Sequence, residues 1–343
     1  MVKVNQIVFT EPKTVKLLDV GTVDFDCIGN KDVVVKTCVS TVSPGTERAN
    51  LIGGENLGPG SKVAKYPRYL GYSSSGTVVA IGSGVKSVSV GDRVAVYEGH
   101  HKNYNIVNEK QVVKIENENV SMEDAAIAFI AAFSLGAIRK VNLEIGESLM
   151  VMGLGLLGQL AVKLAIASGA YPVIACDPIA ERRELALKSG ADYAFDPLDE
   201  DFAAKVKAVT NGGVKTAIEV TGVDAGLNET LDCMAKLGRV ALLGCTRKSV
   251  LAIDFYQKVH CPGITLIGAH TSARAKVESS RSNFTHSDDI RTVLNLSASR
   301  GLAMSELISE KHSPEGCVEL YDRLVNDKAF PVGVQFDWRL SDE

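Results

Sequence analysis

The sequence predicts an α/β protein of two domains, one β-rich and one built on a doubly wound parallel sheet. Three observations carry that reading. The chain has 343 residues, which at ordinary domain sizes is about two domains. Its first third holds short β-branched runs broken by Gly, Asn and Asp, with no long helical period. From about residue 120 to 270, strand-like runs alternate with helical stretches, the pattern of a parallel sheet covered on both faces.

In chain order, Val33–Val35, Thr77–Ile81, Arg93–Tyr97 and Gln111–Ile115 read as strands, and Gly91-Asp92 is a turn leading into the third. Between them, Tyr69 to Gly76 ("YLGYSSSG") is either a polar turn or the floor of a site. Ser121-Met122-Glu123-Asp124 resembles a capping start, and Ala125–Ile138 is apolar enough for a buried helix. Leu149–Val151 and Val173–Ala175 read as strands, each followed by a helix: Leu156–Ser168 ending at Gly169, and Glu181–Lys188 closed by Gly190. The alternation continues with a strand at Ala217–Val220, a helix at Leu227–Leu237 and strands at Val240–Leu243 and Ile264–Ile267. Beyond 271 the chain turns polar, then helical, and closes on a strand in "VGVQFDW", read as a return to the first domain. The expected limits are 1–122 and 271–343 for the β-rich domain and 123–270 for the other.

A composition of 45% hydrophobic and 23% charged residues is that of a soluble globular protein, long enough to bury large cores without disulfide or metal staples. The net charge of -4 argues against a nucleic-acid surface, and the scattered Lys and Arg against a basic membrane-binding helix. The longest near-apolar run, Ala125–Ile138, is too short to span a bilayer, and no signal-peptide core follows Met1. Seven dispersed cysteines without a CxxC pair fit reduced thiols, so a cytoplasmic location is expected.

Gly153-Leu154-Gly155-Leu156-Leu157-Gly158 is a GxGxxG that follows a predicted strand and opens a predicted helix, and Asp177 ends the next strand. The first glycine permits the tight turn, the second lets a pyrophosphate approach the backbone, and the third lets helix and strand pack closely. Phosphates would then sit at the positive end of the helix. Asp177 is suited to a free ribose 2′-hydroxyl and repels a 2′-phosphate, which favours NAD(H) over its phosphorylated form. Arg182 and Arg183, nearby, offer the opposite possibility.

With these motifs, "GYSSSGTVVAIGSGV…VGDRV" (71–94), "CDPIAERRELALKSGAD" (176–192), "GRVALLG" (238–244) and "VSPGTE" (42–47), nearly the whole chain resembles the medium-chain dehydrogenase/reductase superfamily. Within it, the resemblance is to the zinc alcohol dehydrogenase-like group and its bacteriochlorophyllide dehydrogenase-like and sorbitol dehydrogenase-like branch. It implies a GroES-like, partly open β-barrel catalytic domain plus a doubly wound Rossmann domain, with the active site in the cleft between them. It places Asp177 and Arg182 at the adenosine ribose, and Thr221, Gly222 and Gly244 on loops bordering the ribose and nicotinamide. It also implies a homodimer, or a homotetramer, formed through the outer edge of the Rossmann sheet.

The same resemblance exposes a departure. Zinc members carry Gly-His-Glu where this chain has Gly71-Tyr72-Ser73, a cysteine ligand where it has Ser43, and a third ligand near Phe129. The four-cysteine structural zinc lobe is absent too, since no cysteine lies between 38 and 176. Zinc is therefore not expected, and no metal ligands are assigned. Without a Lewis acid, hydrogen-bond donors must stabilise the developing oxyanion, and the candidates are Ser43, Thr46 and Tyr72, with His101 as acid/base. His100 and His101, being adjacent, point to opposite faces and are ill placed to share an ion. Glu47 is either a cleft carboxylate or a surface partner of Arg48 or Arg68, and the loop from Arg48 to Arg68 either accepts a hydroxylated or anionic ligand or is a surface flap. The expected activity is NAD(H)-dependent, zinc-independent hydride transfer between nicotinamide and a small-molecule alcohol or carbonyl substrate of the polyol, sugar or cyclic alcohol class. The alternatives are an NADPH-dependent quinone or enoyl reductase and a non-catalytic dinucleotide-binding sensor.

Overall fold

A computed structural model describes residues 1–57, 64–250 and 252–341, and the chain forms two compact units. Met1–Ile130 with Ser287–Glu343 make the first, and Ala131–His286 the second. These limits differ from the expected 122/123 and 270/271. Met122–Lys140 is one unbroken helix, so the character of the chain does not change at its first residue. The polar stretch after 270 stays with the second unit through Arg274, which donates to the carbonyl of Ala132, and Arg139, whose guanidinium lies 3.6 Å from the centre of the Phe284 ring.

The first unit is mainly antiparallel. Its seven-stranded sheet runs Ile308–His312, Gly333–Asp337, Asp32–Thr41, Ser73–Ile81, Arg93–Tyr97 and Val112–Lys114, with Tyr104–Asn108 also paired to Asp32–Thr41. Alternate valines Val33, Val35, Val94 and Val96 are at most 1% exposed and fill one core with Val78 and Val107. The residues between them, Val34 and Ala95, are equally buried, so both faces of these strands are covered there. The final strand enters the sheet beside Asp32–Thr41, with Phe336 opposite Ser40. A second sheet, Thr14–Val23, Val2–Glu11 and Arg68–Tyr69, was not legible in the sequence beforehand. Residues Gln6 to Phe9 are all buried, so the hydrophobic alternation that marks a strand is lost there.

"YLGYSSSG" proves to be neither a wet turn nor, for its serines, the floor of a site. The strand begins at Ser73, and Ser73, Ser74 and Ser75 are 0–1% exposed. Ser73 Oγ donates to the carbonyl of Ala126 (2.6 Å) and Ser75 Oγ to that of Met122 (2.7 Å), tying the strand to the start of the helix Met122–Lys140.

The second unit holds a six-stranded, all-parallel sheet: Tyr193–Phe195, Val173–Cys176, Leu149–Met152, Val214–Glu219, Met234–Leu242 and Thr265–Gly268. Numbered in chain order, its strands run 3-2-1-4-5-6, the Rossmann arrangement, whose order reverses between Leu149–Met152 and Val214–Glu219. Ligands of open α/β sheets bind beyond the carboxyl ends of the strands at such a reversal. The helix expected over Leu227–Leu237 is instead Asp224–Asp232, and Met234–Leu237 already belongs to the next strand. Met234 pairs with Val214, and Leu237, at φ +61° and 75% exposed, marks an irregularity in that strand that helical spacing does not foresee. Among the described residues, no helix is long and apolar enough to cross a membrane.

Candidate functional site

In the first unit the site starts at the helix Pro44–Leu51, whose N-cap is Ser43, with Pro44 in the first helical position. An N-cap serine ordinarily turns its oxygen onto an amide one turn in. Ser43 makes no such bond. Its Oγ instead accepts from the Tyr72 hydroxyl at 2.6 Å. Tyr72 is half-buried, and its ring meets Phe129 edge-on, with centroids 5.6 Å apart. Phe129 in turn leans on Tyr97 at 5.2 Å, whose hydroxyl burial pushes to higher pKa. Thr46 is half-buried on the first turn of the helix, where its carbonyl accepts from Asn50 Nδ2 at 2.7 Å. The hydrogen bonds of the structure join Ser43 and Tyr72, and leave Thr46 outside that pair.

Glu47 and His101 depart from the readings made of them. Glu47 is 0% exposed, so it is neither a surface partner of Arg48 nor an open carboxylate. Its oxygens accept from the Ser43 amide (2.9 Å), the Tyr321 hydroxyl (2.6 Å) and His101 Nε2 (3.3 Å). Burial, and after it the neighbouring Glu47 carboxylate, pushes the Tyr321 hydroxyl well above its ordinary pKa. His101 is also 0% exposed, and its Nδ1 lies 2.7 Å from Ser40 Oγ, which accepts from Trp338 Nε1 at 2.9 Å. Gly71 lets the imidazole in, since a Cβ there would lie 2.3 Å from the His101 ring. With both nitrogens held by protein groups and no exposed surface, His101 is a framework residue and not the acid/base it was expected to be. His100 is half-buried, and burial, with Lys102 beside it, holds its pKa down to about 4. Of the loop Arg48 to Arg68, residues 58–63 lie outside the described residues, so its reading as a ligand-accepting segment is untouched.

The positions that the resemblance gives to zinc ligands hold a hydroxyl (Ser43), a phenol (Tyr72) and a phenyl ring (Phe129). Zinc takes thiolate, imidazole and carboxylate, so this donor set does not fit it. Among the described residues there is no group of three His, Cys, Asp or Glu side chains placed to hold a metal ion.

In the second unit, Gly153 adopts φ +99°, and a Cβ on Gly158 would come within 1.9 Å of the Gly153 carbonyl oxygen, so turn and helix pack backbone to backbone. Gly155, the N-cap of Leu156–Ala167, has no described residue other than its chain neighbours within 4 Å of its would-be Cβ. That combination, close packing behind and open space in front of a helix N-terminus, is the cradle a pyrophosphate fits. Leu156 is buried, and the Leu157 carbonyl accepts from Ser134 Oγ at 2.7 Å, which fixes the first turn. Asp177 follows the strand Val173–Cys176 and accepts from the amides of Leu154 (2.8 Å) and Ile179 (2.9 Å), while Arg182 lies 3.6 Å away. Two amides leave a carboxylate further acceptor capacity for ribose hydroxyls. Arg183 turns to the Asp177 carbonyl (2.7 Å) and Asp196 (3.1 Å).

Thr221, Gly222 and Gly244 converge on the same turn. A Cβ on Gly153 would lie 3.0 Å from Thr221 Cγ2, and one on Gly244 2.5 Å from the Gly222 nitrogen. Beneath them is Glu219, a buried carboxylate that sequence reasoning missed. It accepts from the Thr221 amide at 2.8 Å, and burial raises its pKa against the opposing pull of the Thr221 bonds. Its place at the end of a predicted strand next to Thr221-Gly222 was the available signal. Tyr321, Ser40 and Trp338 carried none.

The family described as "Alcohol dehydrogenase GroES-like domain" matches residues 29–131, and "Zinc-binding dehydrogenase" matches residues 157–286. The chain belongs to the medium-chain dehydrogenase/reductase superfamily, in its zinc alcohol dehydrogenase-like group. It is 32% identical over 232 residues to L-threonine 3-dehydrogenase of Pyrococcus horikoshii, a stretch covering 60% of this chain and 66% of that one, a little under two thirds of the relative's length. To D-guloside 3-dehydrogenase of Escherichia coli it is 29% identical over 194 residues, 56% of this chain and 55% of the relative. The 2R,3R-butanediol dehydrogenase of Bacillus subtilis has the same fold, with a TM-score of 0.80 at 21% identity over 97% of this chain and 99% of that one.

Proposed function

We propose that the protein is an NAD(H)-dependent oxidoreductase that interconverts an alcohol and a carbonyl on a polyol, sugar or cyclic alcohol, without zinc. The observation that carries this reading is the Tyr72–Ser43 hydroxyl pair, 2.6 Å apart, in the place of two metal-ligand positions of the family. The relatives named above, dehydrogenases of hydroxyl-bearing compounds, support the class of substrate.

Gly153, Gly155 and Gly158 with the amides of the first turn would hold the pyrophosphate, Asp177 the adenosine ribose, and the loops of Thr221, Gly222 and Gly244 the nicotinamide half. When bound, the nicotinamide supplies a two-electron acceptor for the hydrogen on the alcohol carbon. Tyr72 donates to Ser43 Oγ, which leaves Ser43's own proton for a substrate oxygen. In the reducing direction that proton passes to the developing alkoxide and water restores it to the pair; in the oxidising direction the pair first gives one proton to water and then takes up the proton of the substrate hydroxyl. Preorganised donors of this kind stabilise charge that develops in the transition state. Asp177 favours the unphosphorylated ribose because a 2′-phosphate would face its carboxylate. We also place a homodimer contact on the outer edge of the second unit's sheet, at Thr265–Gly268, the last strand of that sheet among the described residues; light scattering giving the mass of a monomer would rule it out.

The test is turnover with NAD+ or NADP+ against sorbitol, butanediol, L-threonine and a sugar glycoside, followed by absorbance of the reduced cofactor, on protein analysed for zinc. Turnover is expected with NAD+ on metal-free protein, and Tyr72→Phe is expected to lower kcat about 100-fold while NADH binding stays the same. Preference for NADP+ would refute the role of Asp177. Stoichiometric zinc required for turnover would refute the metal-free mechanism, and NADH binding with no turnover of any alcohol, carbonyl or enone would leave a dinucleotide sensor.

A further inference from the structure

Glu47 connects a wholly buried polar network to the candidate site. Three donors reach its carboxylate: the Ser43 amide on Oε1, the Tyr321 hydroxyl on Oε2, and His101 Nε2, 3.3 and 3.4 Å from the two oxygens. Glu47 and His101 are 0% exposed, Tyr321 1% and Ser43 7%. The donor inventory orders the rest. The Trp338 indole can only donate, so Ser40 Oγ accepts from it, and the Glu47 carboxylate can only accept, so His101 Nε2 carries a proton; in the neutral imidazole Nδ1 then accepts from Ser40. His101 is then the Nε2–H tautomer, donating to Glu47. The carboxylate is fixed from three sides, by the N-cap Ser43, the loop at His101 and the helix Cys317–Asn326.

We propose that Glu47 is the positioning residue of the Ser43–Tyr72 pair: by taking the N-cap amide of Ser43, it sets the Ser43 hydroxyl against Tyr72 instead of against the helix end. In a capping box a first-turn side chain takes the N-cap amide while the N-cap oxygen caps the helix; here Glu47, one turn on, takes the amide and the Ser43 oxygen faces Tyr72. Its carboxylate touches no position of a substrate; it acts through Ser43. Only the functional meaning of the inference rests on the reading of the hydroxyl pair given above.

The experiment observes the Tyr72 Cζ signal by NMR in protein carrying isotope-labelled tyrosine, with the signal assigned by its loss in Tyr72→Phe. Ser43→Ala removes the acceptor and is expected to shift that signal. Glu47→Asp, which retracts the carboxylate by one methylene, is expected to shift it to the same place, and Ser43→Ala/Glu47→Asp to shift it no further. Glu47→Gln keeps an oxygen for the Ser43 amide and, with the His101 tautomer reversed, a donor for the imidazole, so it is expected to leave the signal at the wild-type position. Tyr321→Phe removes one anchor of the carboxylate and is expected to move the signal part of the way, which provides the test should Glu47→Asp fail to fold. A Tyr72 signal unmoved by Glu47→Asp, or by Tyr321→Phe where the first variant is unfolded, would overturn the inference, as would additive shifts in the double variant. Full turnover in Tyr72→Phe would instead refute the catalytic role of the pair while leaving the NMR result standing.

Discussion

The two units build their working surfaces in opposite ways. In the second, the turn proposed for the cofactor is six consecutive residues, Gly153 to Gly158, and every requirement on them is a backbone requirement: a positive φ, a close approach, an open front. In the first, Ser43 and Tyr72 are 29 positions apart, and Glu47 and Tyr321 are 274 apart. One surface is specified by which side chains are missing, the other by which side chains the topology brings together. A change in the first kind of site should act sharply and locally, while one in the second kind should be shared across a network.

The largest effect is expected where the backbone has least room. In Gly158→Ala the new Cβ would lie 1.9 Å from the Gly153 oxygen and 2.9 Å from its carbonyl carbon, so turn or helix must move. Loss of NADH binding by about 100-fold or more and a clear drop in Tm are expected, the backbone displacement costing several kcal/mol. Gly155→Ala is the matched control. Its backbone, at φ -67°, suits any residue, and no described residue other than its chain neighbours stands within 4 Å of the added methyl. Calorimetry should find its Tm close to wild type, while titration finds NADH affinity reduced about tenfold or more, because the methyl occupies the phosphate's side of the turn. An equal loss of Tm in both variants would mean that the open front of Gly155 is not a ligand surface.

The same contrast explains what was legible in advance. Glycine spacing between a strand and a helix is a local signal, so the glycine turn, and Asp177 just after the next strand, could be placed in the fold from the sequence. So could the strand–helix alternation that yields the six-stranded sheet. Ser43 and Tyr72 were found only because the resemblance pointed to their positions. His101 was misread because a histidine beside a cleft motif does not reveal that its two nitrogens are already held by Ser40 and Glu47. The serines of "YLGYSSSG" looked solvated, yet two of them donate to carbonyls of a helix that begins some 50 residues later, a contact no local pattern encodes. Tyr321 and Trp338 reach the network only through the chain's return to the first unit.

A smaller effect should separate the two units by pH. Each has one histidine that burial lowers from the ordinary 6.5 to about 4, His100 in the first and His286 in the second, with Lys102 and Arg274 respectively adding to it. An unfolded imidazole binds its proton near 6.5 and the folded one only near 4, so between those values the unfolded state binds more protons. Each histidine thus costs stability as pH falls through that window, on the order of 1–3 kcal/mol. The carboxyls of Glu123 and Glu310 act lower. Glu123 reaches about 2 because its bonds to Lys311 and Arg339 outweigh its burial, and Glu310 because Arg323 pairs with it, so their contribution is lost only below about 4.5. In the second unit Glu219 opposes His286, since its raised pKa makes the folded state the better proton acceptor as pH falls. The first unit has His100 with no such offset among the shifted groups. Hydrogen exchange between pH 6.5 and 4.5, corrected for intrinsic rates, should therefore show protection falling faster in strands of the first unit, such as Arg93–Tyr97, than in Leu149–Met152 of the second. His100→Gln should remove most of that difference, and His286→Gln should widen it. Equal loss of protection in both units, unchanged by either substitution, would mean that the two unfold as one body and that local burial does not set their acid response.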